Sequence, residues 1–296
     1  MKTVTVRVPA TTANMGPGFD SLGCALSLYN TFTFRRAERT SVSGCDPAYA
    51  GEDNLALQAF RAACRAADVT PPPVALHITA HVPVSRGLGS SATLLVGGAM
   101  GARALLSLPL SEEEIFFLVN RMEGHPDNVA PALFGGLRAS MQEEGVPLSL
   151  PLVLHPSLRF CALIPDYEVK THAARDVLPA SVPFSDATAN GAHVAVTVAA
   201  LATGDGAVLA RAMTDRLHEP YRTPLMPEFD AVKSAASGAG ALAFFLSGSG
   251  STCMAIYRND AFPAELEARL SGLSHHWRVL SLMPDPVGAD VRITEE

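Results

Sequence analysis

Cysteine is scarce and unpatterned. The five in the chain (Cys24, Cys45, Cys64, Cys161 and Cys253) are odd in number, widely spaced and never form a C-x-x-C pair. That excludes a disulfide framework and a zinc site of familiar spacing, and it suits thiols kept reduced in a cytosol. Long apolar runs are missing as well: no stretch approaches the roughly 20 residues that span a bilayer. The opening M-K-T-V-T-V-R-V-P-A lacks the apolar centre of a secretory leader and reads as a strand. Runs of Lys or Arg are absent and the net charge is −7, which argues against broad binding to nucleic acid or an anionic membrane. Internal repeats and low-complexity tracts are lacking too. The expectation is a cytoplasmic protein with no nucleic acid and no membrane as partner, and with room for a local basic pocket.

What is present is the composition of an ordinary folded chain, 48% hydrophobic and 17% charged over 296 residues. That length suffices for one large α/β unit or two smaller ones sharing a core. Val4, Val6 and Val8 alternate with polar residues, the period of a half-buried strand. A Gly-rich turn (Asn14–Gly23) separates it from a second strand over Ala25–Phe34. Asp53 is placed to cap a helix to about Ala67, which Pro71–Pro73 break off. Val74–Val82 alternates again, and after a Gly/Ser loop an Ala/Leu/Gly-rich run, Ser90–Leu106, reads as a buried helix.

Ser111 and Glu114 have the spacing of a capping box. A further helix is expected over His125–Phe134, ended by Gly135-Gly136, and two strand-like runs over Leu152–Pro165. Asp176–Gly238 reads as Ala-rich helix broken at Pro179, Pro183, Pro220, Pro224 and Pro227. Strands over Ala241–Leu246 and Cys253–Tyr257 flank a second Gly/Ser loop, Ser247–Ser251. A helix near Ala261–Leu270 and a last strand near Trp277–Ser281 follow. The pattern predicts an α+β chain in two halves, 1–155 and 156–296.

The segment Pro83–Ser91, P-V-S-R-G-L-G-S-S, carries the most chemistry. Glycines let a loop turn with positive φ and let backbone N–H groups close on a ligand. Gly87 and Gly89 lie just before a helix start, so free N–H groups and the positive helix end converge on a place that favours an anion. Ser90 and Ser91 add hydroxyls for phosphate oxygens or a Mg²⁺ shell. The same residues also fit a plain strand-to-helix turn with a serine cap. The loop is neither G-x-x-x-x-G-K-[ST] nor a G-x-G-x-x-G that follows a strand, which disfavours the two commonest nucleotide folds.

With the next residue, P-V-S-R-G-L-G-S-S-A resembles the central motif of the GHMP kinases. Two more segments match that superfamily in order, P-A-T-T-A-N-M-G-P-G-F-D-S-L-G (Pro9–Gly23) and L-S-G-S-G-S-T-C (Leu246–Cys253). The A-N-x-G-P-G-F-D-x-L-G form of the first, and E-G-H-P-D-N-V-A-P-A-L-F-G-G (Glu123–Gly136), resemble the homoserine kinase branch. The resemblance implies a GHMP kinase fold, with a ribosomal-protein-S5-like N-terminal ATP-binding domain and a ferredoxin-like C-terminal domain. It implies ATP as co-substrate, Mg²⁺, L-homoserine as acceptor on a path to threonine, and a homodimer.

It also implies roles. Pro83, Val84, Ser85, Arg86, Gly87, Leu88, Gly89, Ser90, Ser91, Ala92 and Thr93 would hold the ATP phosphates, with Asn54 near the base. Asn14, Asp20, His125, Asp127 and Asn128 would meet the acceptor, Arg175 and Arg222 its carboxylate, and Ser91 and Glu123 the Mg²⁺. Asn14, Asp20, Asp127 and Asn128 would form the catalytic group. Asn128 falls where sugar and mevalonate kinases of the superfamily carry an Asp proposed as base, and an amide is no base. The expected mechanism is therefore positioning and charge neutralisation without early proton removal. Other acceptors in the superfamily (mevalonate, a sugar, a diphosphocytidyl-methylerythritol) form the nearest alternative. A non-catalytic nucleic-acid or ligand-sensing module on the same N-terminal fold is the more distant one.

Overall fold

The computed structural model describes residues 2–295. Its first strand, β1 (Lys2–Ala13), buries Val4, Val6 and Val8 on one face and then Ala10–Ala13 on both. It pairs antiparallel with β2 (Leu22–Arg36), and the register shifts between Pro9 and Ala10, where proline has no N–H to give the ladder. A short β3 (Ser41–Ser43) lies parallel to a later strand, and a 3₁₀ turn (Pro47–Tyr49) leads to α1 (Leu55–Ala66). The cap of α1 is Asn54 rather than the expected Asp53. Asn54 Oδ1 accepts from the N–H groups of Ala56 and Leu57, while its amide nitrogen donates to Tyr49 O.

β4 (Val74–Thr79) pairs with β2 and with β3. The long α2 (Ser90–Leu106) is buried along most of its length, as its apolar composition predicts. A β-carbon on Gly98 would lie 2.0 Å from Ala56 O, so this glycine lets α2 touch α1. α3 (Glu112–Glu123) starts at the capping box of Ser111 and Glu114, and α4 (Pro126–Phe134) begins with a proline in its first turn, where the missing N–H costs nothing. A hairpin follows, β5 (Leu137–Glu143) and β6 (Val146–Leu152), turning through Glu144 and Gly145 with φ of 51° and 81°. Sequence periodicity misses both strands, because the turn is E-G and two prolines, Pro147 and Pro151, interrupt β6.

The chain then enters a second sheet at β7 (Arg159–Pro165). The expected boundary at 155/156 falls in this crossing. The Ala-rich stretch resolves into α5 (Thr171–Asp176), α6 (Phe184–Thr203), α7 (Gly206–Ala212), α8 (Glu219–Arg222), a 3₁₀ turn (Thr223–Leu225) and α9 (Phe229–Gly238). Every one of the five prolines named above sits between these elements or in a first turn. β8 (Ala243–Leu246), β9 (Cys253–Tyr257), α10 (Phe262–Leu270) and β10 (Trp277–Leu282) complete a sheet of order β10-β7-β9-β8, antiparallel throughout. That β-α-β-β-α-β path is the ferredoxin-like arrangement the sequence suggested. The last strand, β11 (Asp290–Glu295), was not foreseen. It returns to pair with β1, so the tail of the second half completes the sheet of the first.

Three apolar clusters hold these layers. One lies between the larger sheet and α1–α4, centred on Phe32, Phe34 and Phe60. Another joins the two sheets through Leu22, Phe160 and Phe245, and a third packs the outer face of the smaller sheet against α9 and α10. The seam between the two sheets is where β1 ends, and there the polar residues collect.

Candidate active site

A cavity of about 490 Å³ opens at that seam. Asn14 and Asp20, in the turn after β1, line one side of it and the loop before α2 another. Gly89 holds the capping position of α2 with φ +67° and has no side chain to cap with. The first N–H groups of a seventeen-residue helix therefore face the cavity without a serine acceptor, as an anion site requires. Two close contacts hold the loop. A β-carbon on Gly87 would fall 2.1 Å from Ser247 O, and one on Gly89 1.9 Å from Thr11 Oγ1. Leu88 O accepts from Thr11 N–H at 3.1 Å, and Thr252 N–H donates to Arg86 O at 3.1 Å. The three separated motifs are thus one bonded unit, closed by Ser247 Oγ on Gly87 O (2.6 Å) and on Thr12 Oγ1 (2.8 Å).

Of the loop residues expected at the phosphates, Val84, Ser85, Arg86, Gly87, Gly89, Ser90 and Ser91 line the cavity. Pro83, Leu88, Ala92 and Thr93 do not. Leu88 and Ala92 turn fully buried side chains into the core, and Thr93 donates to Ser90 O and receives Asn30 Nδ2. Leu88, Ala92 and Thr93 thereby hold the loop and the start of α2 in shape. Asn54 lines the cavity's far end, but its amide is committed to the helix cap described above.

Ser91 donates its hydroxyl to Glu123 Oε2 at 2.6 Å, which brings the end of α3 to the start of α2. Burial pushes the Glu123 carboxyl above its usual pKa, against the Ser91 hydrogen bond and the charge of His125. A half-buried carboxylate whose hydrogen-bond partner is one hydroxyl keeps an oxygen free as a hard donor, and Ser91 can turn a lone pair to the same ion.

Facing the phosphate loop, Asp20, His125 and Asp127 bring their ligand atoms within 4.8 Å of one another. His125 Nδ1 and Asp127 Oδ1 are 2.5 Å apart. Burial opposes a charge on His125, but the bond to Asp127 and the charges of Asp127, Glu123 and Asp20 outweigh it and raise its pKa. The ring therefore holds a proton more readily than a free histidine. Asn128 Oδ1 accepts from Thr11 Oγ1 at 2.7 Å, which leaves its amide N–H groups for the cavity. Asn14 is spent on backbone: it donates to Gly248 O (2.9 Å) and accepts from Asp20 N–H (3.0 Å). It braces the first motif against the third.

Both expected arginines reach the same place. Arg175, on α5, pairs with Asp20 through Nη2–Oδ1 at 3.1 Å. Arg222 is 3% exposed and donates to Ala174 O (3.0 Å) and Gly248 O (3.2 Å). No carboxylate among the described residues lies within 4.0 Å of its guanidinium. Burial, with Arg175 nearby, pulls its pKa below the ordinary arginine value. A buried cation with no counter-ion is a receptor for an anion. Sequence reading missed several lining residues: Cys45, Tyr49, Ile78, Val82 and Leu94 at the apolar end beside Asn54, and Thr171 near Arg175. Only their scatter hid them, for no motif marks isolated apolar side chains.

Comparison with known proteins agrees with this geometry. Residues 54–136 match the family described as GHMP kinases N terminal domain, and residues 197–272 the one described as GHMP kinases C terminal. The homoserine kinase of Gloeobacter violaceus is 46% identical over 274 residues, covering 90% of this chain and 91% of the relative. That of a Synechococcus strain is 44% identical over 291 residues, covering 94% and 95%. Among solved structures, a homoserine kinase from Cytophaga hutchinsonii superposes with a TM-score of 0.88 at 28% identity, covering 98% of this chain and 97% of that one. The expected GHMP kinase fold is the observed one.

Proposed function

The chain belongs to the GHMP kinase family, and from that premise we infer that its cavity transfers the γ-phosphoryl of ATP to the hydroxyl of L-homoserine, giving ADP and O-phospho-L-homoserine. Relatives with that activity in their names match nearly the whole chain at over 40% identity. The observation that carries the reading is one cavity with two chemically opposed ends. A helix start rich in free N–H groups faces a set of paired and unpaired charges suited to a small zwitterion.

The adenine and ribose lie toward Tyr49, Asn54 and Leu94, and the phosphates over Gly87–Ser91. Ser91 and Glu123 would hold Mg²⁺, which when bound neutralises phosphate charge; the half-buried Glu123 carboxyl, hydrogen-bonded only to the Ser91 hydroxyl, supports the fit. The acceptor's ammonium faces Asp20 and the Asp127–His125 pair, and its carboxylate faces Arg175 and Arg222. On entry, the zwitterion exchanges its own two charges for the Asp20–Arg175 ion pair, so the net charge of the site stays constant. Asn128 donates an amide N–H to the reacting hydroxyl. The hydroxyl oxygen forms its bond to the γ-phosphorus as the bond from that phosphorus to the bridging oxygen of ADP breaks. The hydroxyl proton leaves late, to an oxygen of the transferred phosphoryl group, since Asn128 is no base.

A coupled ADP-release assay across homoserine, mevalonate, hexoses and diphosphocytidyl-methylerythritol tests the reading. Homoserine should lead by a wide margin, and a preference for any other alcohol overturns it. Among the described residues no helix is long and apolar enough to cross a membrane. The free state of all five cysteines supports the cytoplasm as the compartment. A homodimer is proposed as the assembly, supported by the exposed apolar Val146, Leu148 and Leu150 on β6; light scattering that gives a monomer mass overturns it.

A further inference from the structure

His218 has no place in the motifs, yet it is fully buried beside the acceptor end of the cavity. Its Nε2 lies 2.9 Å from Gly16 O. A carbonyl only accepts, so Nε2 carries the proton, and in the neutral ring Nδ1 is then a bare acceptor. That acceptor lies 3.4 Å from Arg222 Nη1, one helical turn further along α8. Burial, against the charge of Asp215, lowers the pKa of His218, which keeps the ring in the neutral form this arrangement needs.

Two further contacts fix the ring. It stacks on Phe19 at 5.1 Å between centroids, and the Arg222 guanidinium lies over the same Phe19 ring, also at 5.1 Å. Asp215 Oδ2 accepts from the N–H groups of Leu217, His218 and Glu219, which anchors the start of α8. Gly16 and Phe19 belong to the first motif and flank the stretch that ends in Asp20. One imidazole thus ties the unpaired cation of the site to the loop that carries its anion.

Resting on the reading above, we propose that His218 is a positioning residue. It holds the Arg222 guanidinium at a fixed distance from Asp20, so that the two match the carboxylate and ammonium of one α-amino acid. The selectivity for an acceptor bearing both groups would then depend on a residue that touches neither.

Steady-state kinetics of His218→Phe, which keeps the stacking and removes both hydrogen bonds, provide the test. The expected result is a KM for homoserine raised by about tenfold or more, with the KM for ATP within about twofold of the parent. An unchanged homoserine KM, or an equal rise in both constants, overturns the proposal. Circular dichroism reports whether that variant folds; if it does not, His218→Asn and His218→Gln decide. The Asn amide oxygen can stand near Nδ1 and keep the acceptor for Arg222, whereas the Gln amide nitrogen can stand near Nε2 and keep the bond to Gly16. His218→Asn should retain the lower homoserine KM of the two, and the reverse order or equality overturns the proposal. The parent enzyme separates the two claims: no turnover of homoserine by the parent defeats the functional reading, while normal parent turnover with an unchanged homoserine KM in the variants defeats only this one.

Discussion

At one end of the cavity the phosphate-facing groups come from a single run, Val84–Ser91, and are largely backbone N–H groups at the start of α2. At the other they are side chains from four separate places: Asp20 after β1, His125–Asn128 at α4, Arg175 on α5 and Arg222 on α8. Backbone donors are fixed by glycines and a helix axis, so they bind phosphate wherever the turn is made. Charged side chains must be brought together by tertiary packing and then held apart from one another. The nucleotide end is thus a local device and the acceptor end a global one, and the two should fail differently when disturbed.

The sharpest way to break that contrast is Arg222→Gln. Removing one partner of a buried charge recognition costs about 2–5 kcal/mol, so the KM for homoserine should rise on the order of a thousandfold. The KM for ATP should stay within about twofold. A parallel rise in both would mean that the ends are not separable. Gly87→Ala attacks the other end. It forces a side chain into a left-handed turn, costing about 1–2 kcal/mol, and against Ser247 O. The KM for ATP should rise roughly a hundredfold and the melting temperature should drop. Because Ser247 belongs to the third motif, a homoserine KM that climbs equally would join the two ends through that strand turn.

Glu123→Gln tests the metal side alone. The Mg²⁺ concentration for half-maximal rate should rise by about tenfold, with homoserine KM unaltered. A variant with the parent's Mg²⁺ dependence removes Glu123 from the metal site. The smallest effect concerns Glu219, whose buried carboxyl is pushed up to about 7 and accepts from Leu246 N–H at 2.7 Å. Its folded-state pKa exceeds the unfolded value, so the folded protein holds the proton longer. Stability from this group is therefore full below pH 4.5 and is lost as the pH rises toward about 7. Glu219→Gln keeps the acceptor and removes the titration. Melting temperatures at pH 5 and pH 8 should differ less in this variant than in the parent.

The same contrast explains what could be read before any coordinates. Pro83–Ser91 is legible because loop, glycines and helix start are contiguous, and the motif announces its own geometry. Asp20, Asp127 and the arginines are legible only by resemblance, since spacing alone never places Arg222 over Phe19. His218 carried no signal: a lone histidine before E-P-Y-R gives no hint of burial, and its partners lie some 200 residues away. The fold followed the same rule. Strands with clean alternation and helices with caps are evident, whereas β5, β6 and β11 are not, because each depends on which strand waits beside it.

β11 has a consequence for where the fold is open to error. Its strand comes from the far side of the second half, yet it covers the edge of β1 that β2 leaves bare. A pairing so distant in sequence carries a large loop-closure cost and forms slowly. Until it forms, Lys2–Arg7 presents unpaired N–H and C=O groups to any other strand nearby. A chain whose β11 is displaced would therefore keep most of its binding groups and leave β1 free to join a stranger.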